Sequence, residues 1–330
     1  MRIEAKDISP ALTGDALMAA MTGVTEKRKV IADGFLYEKT ILMMSADPGV
    51  GKSTIAAQMT VELAAGLPLF GTFTVPEPCK VFYIQAERCI TEFLERINTL
   101  SKRFPILKDN IIATDEYQKF NLLNADHADL FVECILRDYQ KAKVIIVDPI
   151  YCLVAGGLKD DVPASAFTKV MSRVHKETGS MLYYDHHTVK QQHDSHGNPI
   201  KKDDPFYGSQ WLKAHCTGGY YIEHTNKGSI LRLKKDNYGI LRKEIDLTYD
   251  QEQGICYLEE QELPSIDRVI RFLNRRRGMD ESFCFEDIQA ETKLCTRTLR
   301  SLLLHTSIKE QLKHVSTIGN KHFYTVNHAQ

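Results

Sequence analysis

Residues 41–54 read Ile41-Leu42-Met43-Met44-Ser45-Ala46-Asp47-Pro48-Gly49-Val50-Gly51-Lys52-Ser53-Thr54. The apolar opening predicts a short buried strand. Thr54-Ile55-Ala56-Ala57-Gln58-Met59-Thr60-Val61-Glu62-Leu63-Ala64 predicts the helix that follows. A strand, a glycine-bearing loop ending Gly-Lys-Ser and a helix form the context that a phosphate-binding loop requires. Backbone N–H groups of such a loop point at a triphosphate, and the helix dipole favours its negative charge. Asp47, Pro48, Gly49, Val50, Gly51, Lys52, Ser53 and Thr54 are therefore the candidate nucleotide-binding residues. Gly49 and Gly51 let the backbone come close without a Cβ in the way. Lys52 is placed to reach the β- and γ-phosphates, and the Ser53 hydroxyl to ligate Mg²⁺. The first position of the usual G-x-x-x-x-G-K-[ST] pattern is Ala46, the mildest replacement for glycine.

Working outward, composition narrows the class. The chain has 330 residues, 43% apolar and 26% charged, as expected of a soluble globular protein with one large domain and small additions. A net charge of −1 gives no global basic field, so nucleic-acid contact requires local patches or a ring that gathers basic loops. No apolar run reaches membrane-spanning length, and the N-terminus lacks the order of a signal peptide. The 8 cysteines are scattered with no C-x-x-C pair, which predicts reduced, mostly buried thiols and a cytoplasmic location.

Downstream of the loop, Cys79-Lys80-Val81-Phe82-Tyr83-Ile84-Gln85-Ala86-Glu87 predicts a strand closed by an acid, followed by a helix over 90–103. Open parallel sheets present ligand-handling residues at the C-terminal ends of their strands. Glu87 thus stands where a carboxylate orients the water attacking a γ-phosphate, or else serves as a first-turn helix charge. After a helix over 125–141, Ala142-Lys143-Val144-Ile145-Ile146-Val147-Asp148 is a β-branched run closed by Asp148, a Walker B pattern that offers a carboxylate to Mg²⁺. A helix over 164–177 precedes Ser180-Met181-Leu182-Tyr183-Tyr184-Asp185-His186-His187, a further strand with polar residues at its end. There a His senses the γ-phosphate, or the two His form a hydrogen-bonded pair. Residues 188–206 are polar, rich in Lys and His, and read as a mobile loop facing a channel or solvent.

From Gly218 the pattern alternates through 258 and predicts antiparallel strands. Arg232, Lys234 and Lys235 lie on one of them. A cation there reaches a neighbouring subunit's nucleotide or is ordinary strand surface charge. After Leu263-Pro264-Ser265, a helix over Ile266–Arg276, a second opened by Ser282–Ala290, and a turn and third helix across Thr292–Leu303 lead to a hairpin over 315–326. Three helices and a hairpin are a winged-helix order. It presents Thr296, Arg297 and Arg300 to a DNA groove, with Arg275, Arg276, Arg277 and Lys321 for phosphates, or it mediates protein contacts. The expected organisation is an N-terminal arm (1–28), an α/β core (29–260) with a mostly parallel central sheet and antiparallel C-terminal strands, and a small winged-helix domain (265–330).

With these residues in view, the chain resembles the RecA-like P-loop ATPase superfamily. Within it the resemblance is to the RepA-type hexameric helicase branch, with DnaB- and KaiC-like relatives. It covers about 29–258 and rests on Ala46–Ser53, Gln85-Ala86-Glu87-Arg88, Val144–Asp148, His186-His187, Gly208-Ser209 and Lys235-Asp236-Asn237-Tyr238-Gly239. It implies Glu87 as catalytic base, the His pair (with His187) as phosphate sensor, and a homo-oligomeric ring, a hexamer, with ATP and Mg²⁺ between subunits. Relatives carry a Lys-x-Arg pair across the interface. Here Asn237 stands at the Arg position, so Lys235 acts alone or Arg232 substitutes. The expected function is a DNA-dependent ATPase, a replicative helicase of a plasmid, phage or mobile element. Its partners are single-stranded DNA in a channel and duplex DNA on the winged helix. The alternatives are a nucleotide switch without translocation and a filament-forming recombination ATPase.

Overall fold

The computed structural model describes residues 11, 13–18, 28–87, 89–101, 104, 108–158, 160–188, 209–226, 228–250, 255–258, 265–276, 281–292, 294–304, 306–309, 311–319 and 321–326. Of the predicted N-terminal arm, residues 14–18 are helical. Most of the arm, the Lys- and His-rich loop after Thr188, Arg88, Gly208 and Arg277 lie outside the described residues.

A small antiparallel ribbon, Val30–Ala32 (β1) with Leu36–Tyr37 (β2), leads into Ile41–Ala46 (β3). All six side chains of β3 are buried, as an apolar run in a two-sided sheet demands. Helix Lys52–Ala65 (α1) follows and is buried on nearly every side, the polar Gln58, Thr60 and Glu62 included. It ends at Gly66, whose φ of 68° is left-handed and whose N–H satisfies the Glu62 and Leu63 carbonyls. Strand and helix then alternate: Val81–Gln85 (β4), Thr91–Ser101 (α2), Ile111–Thr114 (β5), Ala125–Asp138 (α3), Val144–Asp148 (β6), Asp161–Thr178 (α4) and Met181–His187 (β7). The Asn124 side chain caps α3 by accepting from the Asp126 and His127 N–H groups. A short helix, Gln210–His215 (α5), precedes Gly218–Thr225 (β8), Gly228–Asp236 (β9), Glu244–Asp250 (β10) and Ile255–Leu258 (β11).

Among the described residues these strands build one nine-stranded sheet in the order β11-β10-β9-β8-β3-β7-β6-β4-β5. From β8 to β5 all neighbours are parallel, while β9, β10 and β11 add antiparallel at the other edge. The sequence pattern assigns β8 to the antiparallel set. In fact Leu42 pairs with Gly218 in parallel, and only the β9 side of β8 is antiparallel. Alternation reports which faces are buried and carries no information on the direction of a neighbour.

Two cores cover the two faces. Val81 and Tyr83 point to the face packed by α1, whereas Phe82 and Ile84 point to the face packed by α3 and α4. The same two-residue period along β6 and β7 puts Asp148, Asp185 and His187 on the α1 face, at the C-terminal end of the sheet.

Beyond β11, helices Ser265–Arg276 (α6), Phe285–Thr292 (α7), Thr296–Leu303 (α8) and Thr306–Lys309 (α9) precede the hairpin Leu312–Ile318 (β12) and Lys321–Val326 (β13). A third cluster joins them, with Val269, Phe272, Leu273, Phe283, Ile288, Leu299, Ile308 and Val326 buried together.

Candidate functional site

The loop between β3 and α1 needs backbone that L-residues avoid. Gly49 and Gly51 have φ of 81° and 94°, and the space a Cβ would take at either is open. Glycine is thus required there by conformation, not by crowding. The turn aims the start of α1, with Lys52 and Ser53, at the ends of β3, β6 and β7.

The Lys52 ammonium is buried. It donates to the Ala46 carbonyl at 3.1 Å and the Asp47 carbonyl at 3.2 Å, and lies 3.2 Å from His187 Nδ1. Burial draws its pKa down, opposed mainly by Asp185 and Asp148. His187 is likewise held below the ordinary imidazole range by burial and by the Lys52 charge. A neutral His187 ring therefore accepts from the ammonium.

The Ser53 hydroxyl donates to Asp148 Oδ1 at 3.1 Å, and the Tyr83 hydroxyl donates to Asp148 Oδ2. Tyr83 is itself wedged against Phe93 of α2, ring centroids 4.2 Å apart. The Walker B carboxylate is thereby fixed at both oxygens. Serine hydroxyl plus carboxylate is the hard-oxygen donor set that suits Mg²⁺. Two further acceptors flank it. Gln85 of β4 is the register partner of Asp148, and the Gln85 Oε1 is buried without a hydrogen-bond partner. On the other side, Val147 pairs with Tyr184, so Asp148 and Asp185 are strand neighbours. Asp185 is 0% exposed, and neither of its oxygens makes a hydrogen bond of ordinary geometry, although the Tyr183 hydroxyl and Asp148 lie beside it. Burial and then Asp148 push its carboxyl well above the usual range, while Lys52 pulls it back.

Glu87 sits exposed just past β4 and accepts from the Tyr151 hydroxyl at 2.8 Å. The Tyr151 ring meets the His187 ring edge-on, centroids 5.0 Å apart. Lys52, His187, Tyr151 and Glu87 thus form one connected series. Tyr151, Asp185 and Tyr83 escape a motif search, and Gln85 lies in the Gln85–Arg88 stretch with no role assigned to it there. For Gln85 and Asp185 the signal is positional, polar residues near strand ends on the face that carries the phosphate loop, in runs that are otherwise apolar; Tyr83 lies mid-strand on that face and Tyr151 in the turn just after β6.

The two proposed trans-acting cations lie apart from this series. Arg232 bridges Glu223, at 2.9 Å, and Glu244 on the neighbouring strands. Lys235 donates to the Lys213 carbonyl at the end of α5. Beside Thr54 a cleft of about 440 Å³ is lined by Glu92, Glu95, Arg96, Thr99 and Tyr249 among others. No helix among the described residues is long and apolar enough to cross a membrane.

With this geometry in place, comparison with known proteins assigns the family. No curated protein matches the chain. A KaiC-like protein from the hyperthermophilic archaeon Pyrococcus horikoshii OT3 is similar in structure, at 14% identity and a TM-score of 0.45, over 69% of this chain and 93% of that one. Residues 9–193, which hold the phosphate loop, Glu87, Asp148 and the strand-end histidines, match the AAA domain family AAA_25. The chain therefore belongs to the AAA domain family and is an ATP-binding P-loop ATPase.

Proposed function

We propose that this ATPase is a DNA-dependent, ring-forming motor, a replicative helicase of a plasmid, phage or mobile element. The observation that supports the reading is the convergence of Lys52, Ser53, Asp148 and His187 at one end of the sheet, beside a C-terminal unit with its own core that exposes Arg297 and Arg300. In the site, Lys52 and the loop N–H groups receive the β- and γ-phosphates. Ser53 and Asp148 hold Mg²⁺, which when bound offsets the charge of those phosphates. Glu87, steadied by Tyr151, orients the attacking water as general base, and His187, in contact with Lys52, reports on the γ-phosphate. The cleft beside Thr54 suits the nucleoside, with the exposed Tyr249 ring for the base and Glu92 or Glu95 for ribose hydroxyls.

In the C-terminal unit, Thr296, Arg297 and Arg300 of α8 are exposed, with Arg300 lying over the Phe285 ring. A winged-helix reading makes α8 the groove-facing helix and β12–β13 the wing. Arg276 is better explained as structure, because it packs on Phe272 and pairs with Glu291. A hexameric ring places ATP between subunits, with Lys235 or Arg232 completing the neighbour's site. The engagement of both cations within their own subunit favours a second reading, a slowly hydrolysing nucleotide switch that assembles a DNA-binding scaffold.

The test is ATPase rate with and without single-stranded DNA, with mass photometry on the same samples. Strong stimulation together with a ring-sized species supports the motor. Slow turnover indifferent to DNA moves the function to the switch.

A further inference from the structure

Across three adjacent strands at the bottom of the site runs a polar row: Gln85 on β4, Asp148 on β6 and Asp185 on β7. All three are buried and share the face that carries α1. The middle residue is fully engaged, by Ser53 and Tyr83. The two outer residues are not: Gln85 Oε1 and both Asp185 oxygens make no hydrogen bond of ordinary geometry, and the one donor that bears on Asp185, the Tyr183 hydroxyl two residues back on the same face, is itself left without a well-formed bond. A buried acceptor left unpaired is costly, and a carboxyl group more so than an amide. The next strand offers no relief, since the register partner of Asp185 on β3 is Met44. Two orphaned acceptors bracketing one magnesium-type carboxylate are not an accident of packing, because an aliphatic side chain at 185 would satisfy the strand at lower cost. They match what a hydrated cation requires, since Mg²⁺ keeps several waters and each water needs an acceptor beyond the metal.

We propose that Asp185, with Gln85, is a second-row acceptor for the Mg²⁺ water shell at the Ser53–Asp148 site, and that it sets how strongly nucleotide binding depends on Mg²⁺. The inference rests on the nucleotide-site reading above. It is distinct from the γ-phosphate sensing assigned to His187, two residues further along the same strand. Asp185 makes no direct metal bond in this assignment. It acts through water and is a positioning residue.

A structural role and this role predict opposite stability effects. Asp185→Leu and the isosteric Asp185→Asn are to be compared with wild type in two measurements on the full chain. The first is the thermal midpoint of nucleotide-free protein in EDTA. The second is the affinity for a fluorescent ATP analogue across a Mg²⁺ titration. The expected result is an equal or higher midpoint for both variants. The Mg²⁺ concentration giving half-maximal tightening of nucleotide should rise at least about fivefold, with affinity in EDTA unchanged. An unchanged Mg²⁺ midpoint in both variants overturns the proposal. So does a midpoint lowered by several degrees with the Mg²⁺ dependence intact, which is the signature of a purely structural carboxyl group. Should Asp185→Leu not fold, Asp185→Asn decides alone. Wild-type protein whose nucleotide affinity ignores Mg²⁺ would sink the nucleotide-site reading itself. That failure is separate from the case in which wild type responds and the variants respond equally.

Discussion

At the scale of single residues, the proposed roles separate binding from turnover. Lys52 is the buried cation aimed along the loop, so Lys52→Ala should abolish ATP-analogue binding in a fluorescence titration. Glu87 is engaged instead by the Tyr151 hydroxyl. Glu87→Gln should therefore bind ATP normally and fail to turn it over. Normal turnover in that variant removes Glu87 as general base. Tyr151 tests the positioning of the same carboxylate. A hydrogen bond of this kind is worth about 1 kcal/mol, so Tyr151→Phe should cut kcat about fivefold while leaving nucleotide affinity alone. A variant with altered affinity and normal kcat would instead place Tyr151 in binding.

At the scale of elements, α5 is held against the sheet in part by the imidazole of His215. His215 at its end stacks on Tyr184 of β7, bonds that hydroxyl at 3.1 Å, and lies 3.4 Å from Ser172 of α4. Burial, aided by the charges of His175 and Lys235, draws the His215 pKa from 6.5 down to about 4. Between these two values the unfolded chain binds the proton and the folded chain does not. Protonation therefore favours unfolding. The stability due to a neutral His215 is complete above pH 6.5 and is lost as the pH falls toward 4. The loss is up to about 3 kcal/mol over that interval. Thermal melts from pH 7 to pH 4.5 should show a shallower decline for His215→Gln than for wild type. Parallel curves for the two proteins would exclude His215 as the titrating contact.

At the scale of the whole molecule, the ATPase sheet and the C-terminal helices and hairpin have separate cores. Residues exposed on α8 can then be changed without touching the nucleotide site. On the DNA-binding reading, Arg297→Ala combined with Arg300→Ala should weaken duplex binding. It should also lower the slope of log affinity against log salt by about 0.9 per lost phosphate contact. ATPase activity without DNA should be unchanged. An unaltered salt slope would point the C-terminal unit toward a protein partner.

The sequence by itself determined the alternation of strands and helices, the phosphate loop and the identities of Lys52, Ser53, Glu87 and Asp148. Each of these depends on local order: apolar runs set strands, glycines at 49 and 51 set the turn, and an acid closing a buried run is readable in place. Tertiary structure alone decided which strand-end side chains share a face and a register. That selects Gln85 and Asp185 as the flanks of Asp148, Tyr83 as its clamp and Tyr151 as the partner of Glu87. It also set β8 parallel to β3, and it engaged Arg232 and Lys235 within their own subunit. These outcomes follow from the order in which strands assemble, and strand order is set by packing and crossover between residues far apart in the chain, which no local pattern encodes.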